Sequence, residues 1–250
     1  MVFWSCTIYE VNSEAESELK NFLRNWNKFV YDTIRFMDKE LNLTLAVNAQ
    51  NRNSYGELYS LDLDIPLKVR SREYGEFTVP LLREAHLQFY NEPRELKGLV
   101  AIFLSKSSQI YLIRAFKKLL MNNVGRTLTP FYRIMFRLRQ KFNDLVREFE
   151  EVKEVKLSGI EDPYIKSMEL RGERLDESDL MRTFIELSRR VESFAVTYEG
   201  KRYILSSDGS ILTFQGMDRK DPIVVGNISV SYTHLRAHET SLHLVCRLLL

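Results

Sequence analysis

Two aspartates, a histidine, a cysteine and a run of cations are the residues here whose types and spacing invite chemistry. Asp62 and Asp64 stand two apart in Tyr59-Ser60-Leu61-Asp62-Leu63-Asp64-Ile65-Pro66. On a strand that spacing points both carboxylates to one face, as a divalent cation requires. With Glu57 and Lys68 nearby, they are the candidate metal ligands of a metal-dependent hydrolase or nuclease. Leu61, Leu63 and Ile65 fill the alternate positions, which equally describes a half-buried strand with a plain polar side. No ordered Asp…Glu-x-Lys arrangement follows. His86, in Arg83-Glu84-Ala85-His86, reads as a local hydrogen-bonder rather than a catalyst. Cys6 sits in an apolar run and reads as an inert buried thiol. A glycine-rich phosphate loop, a nucleophile elbow, CxxC and HExxH are all missing from the sequence. No catalytic residue and no cofactor is therefore assigned.

The cations are the stronger signal. Residues 106–147 hold ten basic side chains against Asp144 alone, a local charge of +9, and residues 148–179 reverse it to −6. The candidate binding residues are Arg114, Lys117, Lys118, Arg126, Arg133, Arg137 and Lys141. On a helix, Arg133, Arg137 and Lys141 would share one exposed face. Such a face suits an acidic protein or a nucleic-acid backbone, with Tyr111 and Tyr132 available for stacking. It equally suits a solvated surface paired with the acids that follow.

A metal hunter would also stop at His234, His238, His243 and Cys246, whose spacing resembles a zinc site. They lie in a segment that looks like translated transposase sequencing adapter. The match runs codon by codon from Val230 to Leu250, interrupted only by an index filling Ser241 and Leu242. Residues 230–250 are therefore read as a non-native tail, with the true C-terminus beyond Ser229 cut off. Without them the chain has one His, one Cys and a charge of +1 rather than the +2 of all 250 residues.

The elements that must position these groups follow from the spacing of apolar residues. The whole chain is 44% hydrophobic and 28% charged, which excludes a disordered polymer, and its length suits one large domain or two ordinary ones. Its near-neutral total gives no global pull toward nucleic acid or membrane. A single Cys before the tail allows no internal disulfide, and no secretory signal opens the chain. The longest apolar run, residues 99–104, falls far short of the roughly 18–20 residues of a membrane span. The expectation is a soluble cytoplasmic protein with no membrane contact.

Residues 2–11 read as a buried strand, and Ser13 with Glu16 as a capping box. The stripe Leu19, Phe22, Leu23, Trp26, Phe29, Val30, Ile34, Met37, Leu41 predicts one long helix. Short strands follow at 44–48, 58–69, 76–81 and 87–90, then a central strand at 99–104. A helix over 109–121 and a second over 129–149, capped by Thr129, form a basic αα hairpin. Strands at 152–157 and 164–170, a helix opening at Asp176, and strands at 194–198, 202–205 and 210–214 complete the order β-β-α-β-β-β. The strand at 99–104 followed by the hairpin resembles longin- or roadblock-type regulatory modules in shape alone, which carries no function with it.

The resulting expectation is an α+β fold. It comprises an N-terminal α/β lobe (1–105), a central basic αα hairpin (106–151) and a C-terminal antiparallel sheet with one helix (152–229). Function reads as a non-catalytic binding or regulatory module contacting an acidic protein partner or forming a homo-oligomer. Nucleic-acid binding through the basic hairpin is the alternative, and a metal-dependent hydrolase the third reading.

Overall fold

Period-two alternation, far more than helical spacing, decides the architecture. In β4 (Gly56–Ser71), Tyr59, Leu61, Leu63 and Ile65 are buried while Ser60, Asp62 and Asp64 between them are half-exposed. A residue pattern of that kind buries one face of a sheet and wets the other. The computed structural model describes residues 4–25, 28–136, 138–139, 142–147, 149–213 and 224–228. Strand makes up 52% and helix 26% of it, most of the pairing antiparallel.

The chain divides into two compact units. The first comprises Thr7–Glu92 and Gly98–Tyr132; the second takes the described parts of 1–6, 93–97 and 133–250. Strands of the first unit lie in the order β2 (Lys28–Phe36), β3 (Lys39–Asn53), β4, β5 (Gly75–Tyr90), β6 (Leu99–Phe103) and β1 (Trp4–Val11). The ladders from β2 to β6 are antiparallel, and β4 and β5 stay in register over their full length, from Gly56↔Tyr90 to Ser71↔Gly75. Helices α1 (Ser13–Asn25) and α2 (Lys106–Val124) cover one face. Phe22 and Phe116 meet there edge-on, centroids 6.4 Å apart, in one core with Leu61, Leu63, Leu87, Phe89 and Ile102. Gly125, in the left-handed conformation at φ 72°, closes α2.

In the second unit the order is β12 (Ser210–Thr213), β11 (Lys201–Ser206), β10 (Ser188–Tyr198), β8 (Glu151–Ile160) and β9 (Ser167–Arg171), all antiparallel. Helix α4 (Asp179–Leu187) begins at Ser178, whose hydroxyl accepts from the Met181 amide. Among the described residues no helix is long and apolar enough to cross a membrane.

The structure overturns the expected α+β fold: the chain is mostly antiparallel sheet with few helices, and no central helical hairpin joins two lobes. The long helix over 13–41 stops at Asn25, and the chain turns into the β2–β3 hairpin, rich in β-branched and aromatic residues that pack better on a pleated face. Its cap is Asn12, not Ser13: Asn12 Oδ1 accepts from the Glu14 amide at 3.0 Å. The basic αα hairpin does not form. The described parts of 129–149 instead hold a short strand β7 (Phe131–Arg133), paired with β1, and the five-residue α3 (Phe142–Val146). The aromatic residues of this stretch serve two cores. Phe131 packs on Phe116 (5.6 Å), while Phe142 and Phe149 pack on Phe194 (5.7 and 6.3 Å). One straight helix cannot deliver its stripe to two places. The likeness to longin- or roadblock-type modules loses its second helix with it.

Candidate functional site

Helix α2 carries Arg114, Lys117 and Lys118 and not one acid along its nineteen residues. Arg114 and Lys118, one turn apart, both reach Asp32 of β2: Arg114 Nη2 lies 2.8 Å from Oδ2 and Lys118 Nζ 3.5 Å from Oδ1. Lys117 is exposed. The other candidate cations do not join them. Arg126 pairs with Glu14 at 2.7 Å, and Arg133, on β7, pairs with Asp208 at 2.6 Å. Arg137 and Lys141 lie outside the described residues, as does the whole of 230–250 with its histidines.

Lys118 and Asp32 line a groove. It holds about 440 Å³ and runs between Phe29–Thr33 of β2 and Lys118, Met121 and Asn122 of α2. Strand β2 is the outermost strand of its sheet among the described residues, so the polar groups along its outer side have no strand to bond. Val30 and Met121 are each 47% exposed at the mouth, a large apolar offering for a surface position. Two cations, Arg114 and Lys118, share a single carboxylate, Asp32, and Lys117 is exposed on the same helix. No feature of the sequence marked β2 as an edge, because an edge is a property of the assembled sheet.

Asp62 and Asp64 do share the polar face of β4, as their spacing requires, but they do not converge. Asp64 Oδ2 accepts from the Thr44 amide (3.0 Å) and hydroxyl (2.7 Å) on β3. Asp62 stands opposite Glu84 of β5. Among the described residues no three His, Cys, Asp or Glu side chains gather as metal ligands do. The same face brings Ser60 to His86, Oγ to Nδ1 at 2.9 Å, with Glu84 Oε1 3.5 Å from Nε2. Burial pushes the His86 imidazole below its usual pKa, against the opposing pull of Glu84. Hydroxyl, imidazole and carboxylate in sequence are the parts of an activated nucleophile. Yet β4 is paired on both sides, so the amides around Ser60 are committed to ladders rather than to an oxyanion. The arrangement is a satisfied polar face.

On the opposite side of β4, Tyr59 donates to Glu57 at 2.9 Å, and Arg24 bonds the other Glu57 oxygen. Burial pushes the Glu57 carboxyl up, but the bonds from Arg24 and Tyr59 outweigh it and hold it low. Burial, with Glu57 beside it, drives the Tyr59 hydroxyl up to about 12. This trio ties α1 to β4 and leaves no free acid or base. No protein-family model and no curated protein sequence matches the chain.

Proposed function

We propose that the protein is a non-catalytic binding module that takes an extended, acidic segment of a partner protein into the groove between β2 and α2. The observation that carries this reading is an open strand edge lying beside a helix whose only charges are positive. An extended peptide added to β2 would satisfy its outward amides and carbonyls, the mode known as β-augmentation. Alternate side chains of that peptide would fall toward Val30 and Met121, and acidic ones toward Lys117, Lys118 and Arg114. The pairing of Arg114 and Lys118 with Asp32 is no obstacle, because exposed pairs of this kind contribute only about 0–1 kcal/mol. A nucleic-acid surface is less well supported, since Arg126 and Arg133 are matched by Glu14 and Asp208.

The test is fluorescence anisotropy on the full chain with labelled peptides alternating Glu and Val, and with Lys and Val as the control. The acidic peptide should bind and weaken by about tenfold in Lys117→Glu/Lys118→Glu, with affinity falling as salt rises. Equal binding of the basic peptide, or none at about 1 mM acidic peptide, would overturn the reading. Self-association in sedimentation equilibrium that disappears in the same variant would assign the edge to a second copy instead, and overturn the partner reading too.

A further inference from the structure

We infer that the second unit holds an anion pocket for a small organic phosphate, gripped by Arg139, Arg189 and Arg190 and seated against an apolar wall. The pocket encloses about 520 Å³ and is lined by these arginines with Met135, Phe136 and Leu138. That volume falls within the range of small-molecule sites. It is independent of the groove in the first unit.

Neutral groups orient two of the guanidiniums. Arg190 donates from Nη2 and Nε to Ser207 Oγ at 2.6 and 3.2 Å, and Arg139 donates from Nη2 to the Glu186 carbonyl at 2.9 Å. A hydroxyl or a carbonyl fixes a guanidinium without cancelling its charge. Among the described residues the carboxylate that pairs with these arginines is Glu192, 3.6 Å from Arg190 Nε and also accepting from the Ser158 hydroxyl at 2.5 Å. Arg189 has no ion pair among the described residues. Its stem lies over Gly159, where an added Cβ would come within 2.9 Å of Arg189 Cβ.

Lys156 and Arg133 of this unit are treated differently. Lys156 has Glu154 and Glu169 at 3.4 and 3.3 Å, and Arg133 has Asp208. Three guanidiniums around one cavity with one partly committed acid leave an excess of positive charge that a doubly charged anion removes. Planar guanidinium forks match phosphate oxygens two at a time. Met135, 55% exposed, and half-buried Phe136 supply the surface for an organic body, which inorganic phosphate lacks. The site is a partly open pocket of about 520 Å³, a volume that suits a mononucleotide-sized ester.

The experiment is isothermal titration of the full chain with ADP, inorganic phosphate and adenosine. ADP should bind at least about tenfold more tightly than inorganic phosphate, and adenosine should give no heat. Arg189→Ala and Arg139→Ala should each weaken ADP about fivefold or more while the melting temperature stays put. Arg189 is exposed, so its variant tests the pocket without endangering the fold. Lys117→Glu should leave ADP binding unchanged, which separates failure here from failure of the peptide groove. The inference falls if ADP gives no heat at about 1 mM, or if adenosine binds as well as ADP. It falls equally if both arginine variants retain wild-type affinity, or if single-stranded oligonucleotide binds tighter than ADP and loses that advantage in Lys117→Glu.

Discussion

Gln109 shows how much of the first unit rests on single side chains. It lies fully inside the core near the start of α2, where an amide without partners would cost heavily. Its Nε2 donates to the Leu104 carbonyl (2.7 Å) and Thr7 Oγ1 (3.1 Å), and its Oε1 accepts from the Tyr9 hydroxyl (2.8 Å). One residue thus joins α2 to β1 and to the chain end of β6. Gln109→Leu removes the bonds to Tyr9, Thr7 and Leu104 together, and should cost about 1–3 kcal/mol in urea denaturation. A loss below about 0.5 kcal/mol would mean the network only replaces water. His86 makes a second prediction, on pH. Its folded pKa is depressed, so the unfolded chain takes up the proton first as pH falls below the usual 6.5. The stability of neutral His86 is therefore complete above that pH and is lost toward the lower, folded value. In His86→Gln, which cannot titrate, the melting temperature should drop less between about pH 7 and pH 5 than in the unmodified protein. Parallel curves would exclude His86 as a source of acid sensitivity.

At the scale of elements, apolar residues were more legible than the shapes they take. Of the apolar residues spaced at helical period over 131–149, Phe131, Leu138, Phe142 and Phe149 are buried, whereas Met135 is 55% exposed. The helix assigned to them was wrong, because period 3.6 and an irregular path between two cores leave the same trace over so few residues. The β2–β3 hairpin was hidden for another reason. Its turn uses Met37 at φ 52° instead of the glycine or asparagine that announces such turns, so nothing interrupted the apparent helix. The cations of α2 were legible as a group, while the edge strand that gives them a groove was not. Nor did Arg189 and Arg190 stand out, since of the partners of Arg190 Ser207 is remote in sequence and Glu192 unremarkable. Gly56 tests how tightly one long hairpin is held. At φ 147°, an added Cβ would lie 2.1 Å from the Phe89 carbonyl oxygen, where backbone cannot yield. Gly56→Ala should lose about 2–4 kcal/mol, measured by denaturant midpoint. Gly75, at φ 73° with open space around it, pays strain alone, and Gly75→Ala should cost about 1 kcal/mol. Equal losses at the two positions would show that the close approach at Gly56 carries no weight.

For the whole molecule, the near-neutral charge conceals a division of labour. Residues 106–147 hold an excess of nine positive charges and the following stretch an excess of six negative ones. The boundary between the two units, at Tyr132 and Arg133, cuts through the basic stretch, so the cations of α2 belong to one unit and Arg133 and Arg139 to the other. That placement separates what a single basic hairpin would have joined, and it allows each unit its own anion. It also determines which fragments can fold. Helix α2 supplies Leu112, Ala115, Phe116, Leu119 and Leu120 to the core of the first unit, and Phe131 closes it. A fragment ending at residue 105 lacks all six and exposes the apolar faces of β4, β5 and β6. Burying a Leu or Phe side chain contributes about 1.5–3 kcal/mol, so the five larger members of the missing set are together comparable to the whole stability of an ordinary domain. Residues 4–132 retain every strand from β1 to β6 and both helices. That fragment should melt cooperatively and show dispersed amide signals by NMR, while residues 1–105 should show neither. Cooperative melting of 1–105 would mean that α2 is an addition to a finished sheet, and the groove beside β2 a surface rather than part of the core's construction.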